Sequence, residues 1–260
     1  MRVHHLNCGS MRMPGAPLVC HVLLLETRHG LTLVDTGFGA ADIAAPGPRI
    51  GFYRHVTRPL FDPEETALAQ VRRLGFDPAD VRDIVITHFD SDHVGGLSDF
   101  PAARIHTSAD EWAAASNRWS HLERTRYRPA QWAHEPKILA HGPGGDTWRG
   151  FTAAKSLTAI DDGVVLIPLP GHTRGHAAVA IDTGERWLFH AGDAFYDQSI
   201  VTGVGRQPFV LTVQERFVAH DWAQVRANHA RLAELRRAEP DLLLVSAHDP
   251  ALLERARAMR

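Results

Sequence analysis

The sequence has few cysteines and no long apolar run. Its 260 residues include two cysteines, Cys8 and Cys20, too few for the disulfide framework of a secreted domain. We expect both to be buried free thiols in a reducing cytosol. No apolar stretch approaches the roughly 20 residues of a membrane span, and the first residues lack the apolar run of a secretory signal. These absences predict a cytoplasmic protein with no membrane partner.

A strong charge of either sign is also missing. The formal net charge is -2, which gives no electrostatic support for binding nucleic acid or a membrane surface. Hydrophobic residues make up 44% of the chain, enough to bury a sizeable core. Because neither a repeat nor a linker is evident, we expect a single domain over residues 1–260 that acts on a small molecule.

Strand patterns occur in two batches, each accompanied by helices. Strands are predicted at 3–7, 18–26, 31–34, 83–86 and 104–107, and again at 164–169, 177–181, 187–189 and 242–245. Helices are predicted at 62–74, 221–238 and 250–259. This order predicts an α+β fold in which two sheets pack face to face with helices outside.

Two segments lack a clear pattern. Residues 38–61 are rich in Gly, Pro and Ala without periodicity, which favours a functional or mobile loop. Residues 118–150 contain four aromatic residues and the arginines Arg118, Arg124, Arg126 and Arg128. This second segment is either one wall of a substrate pocket or a packed insertion with a solvated basic face. We expect both segments to be loops or insertions near the active site.

The densest polar cluster follows the predicted strand at 83–86. Within six residues it contains four potential metal ligands, His88, Asp90, Asp92 and His93. A strand end is fixed by its sheet, so ligands placed there can converge. Imidazole and carboxylate together suit zinc, iron, manganese or cobalt. The alternative is a solvated polar turn, but further ligand signals downstream favour a metal site.

Those downstream signals also follow predicted strands. His172 and His176 come after the strand at 164–169, and we predict that His172 is a ligand and His176 a brace. Asp193 follows the strand at 187–189, where a carboxylate can bridge two metals, and His248 follows the last strand. Asp35 ends an earlier strand and is either a ligand or, more in keeping with its position, a carboxylate that braces a ligand loop.

Together these motifs resemble those of the metallo-β-lactamase-fold hydrolase superfamily. The resemblance extends over almost the whole chain, through Asp35-Thr36-Gly37, the cluster at 88–96, the Pro-Gly-His-Thr turn at 170–173, Gly192-Asp193 and Ala247-His248. It implies an αβ/βα four-layer sandwich with a site for two divalent metal ions, with zinc as the leading candidate, along one edge of the sheets. The implied ligands are His88, Asp90 and His172 for a first metal position, Asp92, His93 and His248 for a second, and Asp193 as the bridge.

The chain departs from the family pattern at one position. Asp90 stands where the usual pattern has a second histidine, and it adds a negative charge to the site. The bound water should then be a weaker acid, and harder metals such as iron, manganese or cobalt gain relative to zinc. Flavo-diiron proteins carry glutamate at this position, so an iron-binding redox or sensing protein is the alternative function. A metal-free binding module is a third, less favoured class.

Within the superfamily the chain is most similar to N-acyl-homoserine lactonases. Those have a tyrosine three residues after the bridging aspartate, and Tyr196 stands at that spacing from Asp193. The resemblance implies that Tyr196 donates a hydrogen bond to the substrate carbonyl, with simple packing as the alternative, and that Asp92 orients the nucleophile or shuttles a proton. We therefore predict a hydrolase in which a bridging hydroxide attacks a lactone or ester carbonyl.

Overall fold

The chain folds into two mixed sheets of six strands each, and the computed structural model describes residues 1–259. In spatial order, the first sheet contains β1 (Arg2–Met11), β2 (Leu18–Thr27), β3 (Gly30–Val34), β4 (Val81–Val85), β5 (Arg104–Ser108) and β6 (Lys137–His141). The second contains β12 (Leu243–Val245), β11 (Trp187–His190), β10 (Ala177–Asp182), β9 (Val164–Pro168), β8 (Phe151–Ser156) and β7 (Asp146–Trp148).

Strand direction brings the polar strand ends to one edge. In the first sheet, β3, β4, β5 and β6 run parallel to one another. In the second sheet, β11 and β12 are parallel. Because parallel strands share the edge at which their carboxyl ends lie, the segments that follow β3 and β4 are neighbours. The segments that follow β11 and β12 are neighbours for the same reason.

The core forms where the two sheets face each other. Leu23 and Leu25 of β2 belong to the same buried cluster as Leu166 of β9 and Val179 of β10. Leu24, between the first two, belongs to a second cluster on the opposite face of its sheet. Side chains alternate between faces along a strand, so a strand buried on both faces has the continuous apolar run seen at 22–25.

Helices cover the outer faces of both sheets. Their bounds are α1 (Ala40–Ala44), α2 (Pro46–Ile50), α3 (Arg54–Thr57), α4 (Ala67–Arg73), α5 (Ser91–Val94), α6 (Ala109–Asn117), α7 (His121–Arg126), α8 (Ser199–Thr202), α9 (Phe209–Val218), α10 (Trp222–Ala238) and α11 (Pro250–Ala258). Helices α4 and α6 contribute to the outer cluster of the first sheet, and α10 and α11 pack on the second. The predicted four-layer sandwich is confirmed. Among residues 1–259, no helix combines the length and apolar character needed to cross a bilayer.

Local structure differs from the sequence-based prediction in several segments, and β8, α8 and α9 lie where no element was predicted. Asp62 caps only a short 3-10 turn, and Thr66 caps the shorter helix α4. Segment 38–61, predicted as a loop, contains α1, α2 and α3, and the buried ion pair between Arg49 Nε and Asp42 Oδ1 at 2.6 Å ties α1 to α2. Segment 118–150 contains α7 and the strands β6 and β7, whose partly exposed residues lack the apolar alternation of a buried strand.

Candidate metal centre

The first group of predicted ligands lies in the segment that follows β4. His88 and Asp90 precede α5, which begins after Asp90 and contains Asp92 and His93. The short helix turns the chain back on itself, so that Asp92 and His93 lie beside His88. The Thr36 amide donates a hydrogen bond of 2.8 Å to the His93 carbonyl, which ties α5 to the end of β3.

The second group comes from the opposite sheet. His172 lies in the turn after β9, Asp193 follows β11, and His248 follows β12. All three are almost completely buried. Gly192, which directly precedes Asp193, has φ +54°, and a Cβ atom there would come within 2.6 Å of His176 Nε2. Glycine is therefore required next to Asp193 because both the backbone conformation and the space exclude a side chain.

Four side-chain atoms surround the first metal position. Asp90 Oδ2 lies 3.0 Å from His172 Nε2 and 3.4 Å from His88 Nε2. Asp193 Oδ2 lies 3.5 Å from His172 Nε2 and 3.8 Å from His88 Nε2. Ligands of a tetrahedral zinc ion, each at about 2.0–2.1 Å, are separated from one another by roughly 3.4 Å. The spacing of these four atoms is compatible with one metal ion.

The second metal position shares Asp193 with the first. Asp193 Oδ1 lies 3.2 Å from His93 Nε2, and Asp193 Oδ2 lies 3.1 Å from His248 Nε2. Asp92 Oδ2 is 3.5 Å from His248 Nε2. Cys20, which the sequence did not predict as part of the site, also has its sulfur within 4.8 Å of ligand atoms of Asp92 and His248. All seven predicted ligands therefore converge on one cluster.

The unpaired atoms in this cluster fit divalent metal ions. Within residues 1–259, His88 Nε2, His93 Nε2 and Asp193 Oδ1 are buried and lack a hydrogen-bond partner. Leaving such atoms unsatisfied is costly, and native structures have few of them. All three belong to the two groups described above, where a cation would complete their coordination.

In three of the four candidate histidine ligands the protein holds the opposite ring nitrogen, Nδ1, which leaves Nε2 for a metal, whereas His172 Nδ1 is buried without a hydrogen-bond partner among residues 1–259. His93 Nδ1 donates to Asp35 Oδ2 at 2.8 Å, and His248 Nδ1 donates to the Val19 carbonyl at 2.8 Å. His88 Nδ1 lies 3.0 Å from Thr87 Oγ1, which donates its own proton to Asp35. Partners of this kind fix the tautomer and orientation of a ligating histidine. The structure thus shows Asp35 as a brace.

Glu111, at the start of α6, is a second bracing carboxylate that was not among the candidate site residues of the sequence. Its Oε1 accepts the Phe89 amide at 2.9 Å, and its Oε2 accepts the Thr173 hydroxyl at 2.6 Å and the Gly175 amide at 3.1 Å. Glu111 therefore connects the segment of His88 with that of His172. His176 also braces the site: Nδ1 donates to Leu169 O, and Nε2 accepts the Asp193 amide.

Arg126 is an unpredicted neighbour of the first metal position. Its Nε lies 3.1 Å from Asp90 Oδ1, and its side chain is 7% exposed. Burial would raise the pKa of the Asp90 carboxyl, but Arg126 and His88 hold that pKa well below its usual range. Burial and the nearby His93 lower the pKa of His88 to about 4. At neutral pH this pair of ligands is therefore a carboxylate and a neutral imidazole, both able to bind a metal.

A cavity of about 320 Å³ opens beside Asp90 and Asp92. Its lining comes from segments 38–61 and 118–150, from α9 and from the residues around Asp90, and about half of the lining side chains are apolar. The lining residues are Ile50, Phe52, Tyr53, Val56, Leu122, Thr125, Arg126, Gln214, Phe217 and Val218, together with Asp90, Ser91 and Asp92.

Two tyrosines lie close to the ligands. Tyr196 is 3% exposed, and its ring packs edge-on against His248 at 5.4 Å and His172 at 6.2 Å. Tyr53 lines the cavity, and its hydroxyl accepts a hydrogen bond from Gln214. Burial, together with Asp92 and other carboxylates, raises the pKa of Tyr53 well above its usual value. Tyr53 therefore keeps its proton and can donate it in a hydrogen bond.

Comparison with known sequences matches the chain to a family model and to several relatives. A family model described as the metallo-beta-lactamase superfamily matches residues 15–248. A probable metallo-hydrolase of Mycobacterium tuberculosis is 55% identical over 258 residues, which cover 99% of this chain and 83% of its own length. An N-acyl homoserine lactonase of Bacillus thuringiensis is 27% identical over 184 residues, which cover 69% of this chain and 65% of its own length.

Solved structures share the fold. A quorum-quenching N-acyl homoserine lactone lactonase superposes with a TM-score of 0.70 at 20% identity, covering 96% of this chain and 92% of the other. An N-acyl homoserine lactone hydrolase with the product N-hexanoyl-L-homoserine at its catalytic metal centre gives a TM-score of 0.67 at 21% identity, covering 99% and 96%. At these identities the likeness establishes the fold alone.

Proposed function

Since the chain belongs to the metallo-beta-lactamase superfamily, we propose that it is a dinuclear metal-dependent hydrolase of lactones or related esters. The observation that carries this proposal is the convergence of six buried candidate ligands and the partly exposed Asp90 from two sheets, with unpaired ring nitrogens directed into the cluster. A structural role would leave these atoms unsatisfied. A hydrolytic metal centre uses them and the adjoining cavity together.

The ligands divide into two sets. His88, Asp90 and His172 would hold the first metal ion, Asp92, His93 and His248 would hold the second, and Asp193 would be shared between them. Two divalent ions held there supply Lewis acidity, which lowers the pKa of a coordinated water to about 7 and polarises a carbonyl oxygen.

The remaining steps fall to side chains of the chain itself. Asp92 lies at the cavity wall as well as in the ligand cluster, where its carboxylate can orient the attacking water or accept its proton. Tyr196 packs on two ligand rings, and its phenol would donate a hydrogen bond to the developing oxyanion. Tyr53 is a second candidate donor because it lines the cavity and its hydroxyl is oriented by Gln214.

The cavity favours a substrate with an apolar chain. Phe52 and Phe217 line it, yet each is 79% exposed, so an apolar surface continues from the cavity to solvent. Exposed aromatic side chains at a binding cleft are a common means of recognising apolar groups. The sequence similarity to a Bacillus N-acyl homoserine lactonase makes N-acyl homoserine lactones the first substrates to assay.

The proposal is tested with a panel of substrates on metal-loaded protein. The panel contains N-acyl homoserine lactones of different chain length, other lactones, aryl esters, thioesters and phosphotriesters. We expect turnover of lactones, with kcat/KM rising with chain length. Failure on every substrate with both metal positions filled would refute hydrolysis. Metal analysis of protein expressed without added zinc addresses the alternative, because two irons with a redox-active spectrum would indicate a redox or sensing protein.

The role of Asp90 is tested separately. Replacing Asp90 with histidine should retain two metals and shift preference toward zinc, because imidazole is the softer ligand. Replacing it with alanine should weaken the first position while the second survives. If the alanine variant binds two metals as tightly as the parent and keeps its rate, Asp90 is not a ligand.

A further inference from the structure

Arg126 is anchored between the two groups of ligands. It is the last residue of α7, and its side chain is 7% exposed. Nη1 donates to the His172 carbonyl at 2.7 Å, and Nη2 donates to the Val218 carbonyl. With Nε facing Asp90, every nitrogen of the guanidinium has a partner in the protein. The arrangement is that of a fixed internal cation rather than of a group free to bind substrate.

Asp90 divides its two oxygens between this cation and the metal position. Oδ1 faces Arg126 Nε at 3.1 Å, whereas Oδ2 faces His172 Nε2 at 3.0 Å. The guanidinium is planar and its nitrogens are fixed by the two carbonyls, so it limits the orientation of the carboxylate. One oxygen is thereby kept directed at the first metal position.

The charges of Asp90 and Arg126 also compensate each other. A carboxylate in place of a neutral imidazole removes one positive charge from a site that holds two dications. A guanidinium remains protonated in proteins, so Arg126 returns that charge. Without Arg126, metal-free protein would contain an uncompensated buried carboxylate, which is strongly destabilising. Without the Asp90 carboxylate, a buried cation would lie next to the first metal position and would weaken metal binding there without abolishing it when another ligand replaces the carboxylate.

We propose that Asp90 and Arg126 form one functional unit at the first metal position. Arg126 holds Asp90 in the orientation of a ligand, and the pair together has the net charge of the neutral histidine in the usual pattern. Arg126 is in this sense a positioning residue. The proposal rests on the metal centre of the proposed function, and its test is designed to separate the two.

The first experiment is a double-mutant cycle read as thermal stability, with Asp90→Asn, Arg126→Met and the double variant. In metal-free protein, Arg126→Met should lower Tm more than the double variant does, because Asp90→Asn removes the unpaired charge. Adding zinc should recover most of the loss in Arg126→Met, since the metal then neutralises Asp90. Losses that simply add, with and without metal, would overturn the proposal.

Arg104→Met is the matched control. Arg104 Nε lies 2.7 Å from Oδ1 of Asp83, a buried carboxylate in the middle of β4 that is outside the ligand cluster. This variant also breaks an ion pair with a buried aspartate. Its loss of Tm should be the same in metal-free and zinc-loaded protein. If zinc rescues Arg104→Met and Arg126→Met equally, the rescue is general stabilisation and the proposal fails.

The second experiment is the visible spectrum of the cobalt-substituted protein, which reports the ligands around each ion. Asp90→Asn and Arg126→Met should both shift the bands of the first position, whereas Arg104→Met should not. Arg126→Lys retains the charge without the planar geometry, so it should recover Tm but keep a shifted spectrum. An unshifted spectrum in Arg126→Met would show that Arg126 does not position Asp90.

The two proposals fail in different ways. If Asp90→Asn leaves the cobalt spectrum of the parent unchanged, Asp90 is not a ligand and the assignment of the first position is wrong. If Asp90→Asn shifts the spectrum while Arg126→Met leaves it unchanged and shows no coupling in the cycle, the metal centre stands and the Asp90–Arg126 unit does not.

Discussion

The two metal positions differ in what holds their ligands. At the second position, a buried carboxylate, Asp35, fixes the His93 ring. At the first, a hydroxyl fixes the His88 ring, and Asp90 depends on Arg126 and is 17% exposed at the cavity wall. A ligand oriented by a buried carboxylate is preorganised and more basic. The comparison indicates a tighter second position and a first position that is open to substrate and easier to exchange.

The largest expected effect comes from removing both metals. Dialysis against a strong chelator should abolish hydrolysis and lower Tm by on the order of 10 °C, because bound metal stabilises only the folded state. At intermediate chelator concentration, the metal of the first position should leave first. Metal content and Tm measured at each step check this. Simultaneous loss of both metals at every concentration would contradict the proposed difference between the positions.

Substitution of Asp35 should reduce the difference in metal affinity between the two positions. Asp35→Asn should weaken metal binding at the second position by about 10- to 100-fold, because the amide cannot replace the carboxylate that faces His93 and Thr87. Asp35 has φ +58°, a conformation that asparagine also tolerates, so the backbone should be preserved. Stepwise cobalt titration followed by visible absorption measures each position.

Glu111→Gln is the matched variant for the first position. In one orientation, the NH₂ group of the glutamine would face the Thr173 hydroxyl and the Gly175 amide. In the flipped orientation, it would face the Phe89 amide. Either way, one of the two oxygens that accept hydrogen bonds from these groups is lost. We expect weaker binding at the first position and little change at the second. If both variants weaken the same position, the two braces do not act on separate metals.

The two tyrosines near the ligands are compared by their effect on kcat rather than on metal binding. Tyr53→Phe should lower kcat by on the order of 10², the cost of removing an oxyanion donor, because Tyr53 lines the cavity whereas Tyr196 does not. Tyr196→Phe should lower kcat by about 10-fold, since its ring remains packed on His248 and His172. Metal content must remain unchanged in both. An unaltered kcat in either variant would remove that tyrosine from the proposed chemistry.

The smallest effect is expected at the cavity mouth. Phe217→Ser should raise KM for long-chain substrates by about 10-fold and leave short-chain substrates nearly unchanged, because it removes apolar contact with the chain. Phe209→Ser is the control: Phe209 lies on the same helix and is 80% exposed, roughly 12 Å away by helical rise. Equal effects of both variants would point to the helix rather than the cavity.

Much of the fold could be predicted because its signals are local. The run of Leu23, Leu24 and Leu25 marks a strand buried on both faces, and Asp221 and Asp249 cap the helices α10 and α11 where the pattern indicated. The strands β6 and β7 escaped prediction since they are short and partly exposed. Segment 38–61 was also misjudged, because its helices depend on the buried contact between Arg49 and Asp42.

The sequence by itself identified seven candidate ligands that the structure brings together, since they follow strands whose ends meet at one edge. Only the tertiary structure decided what surrounds them. Arg126 is 36 residues from Asp90 in the chain, and Glu111 and Tyr53 likewise reach the site from other elements. Nothing in the local pattern distinguishes Arg126 from its neighbouring arginines. Its burial against Asp90 follows from how α7 packs over the cavity, and packing of distant segments is what a local pattern does not contain.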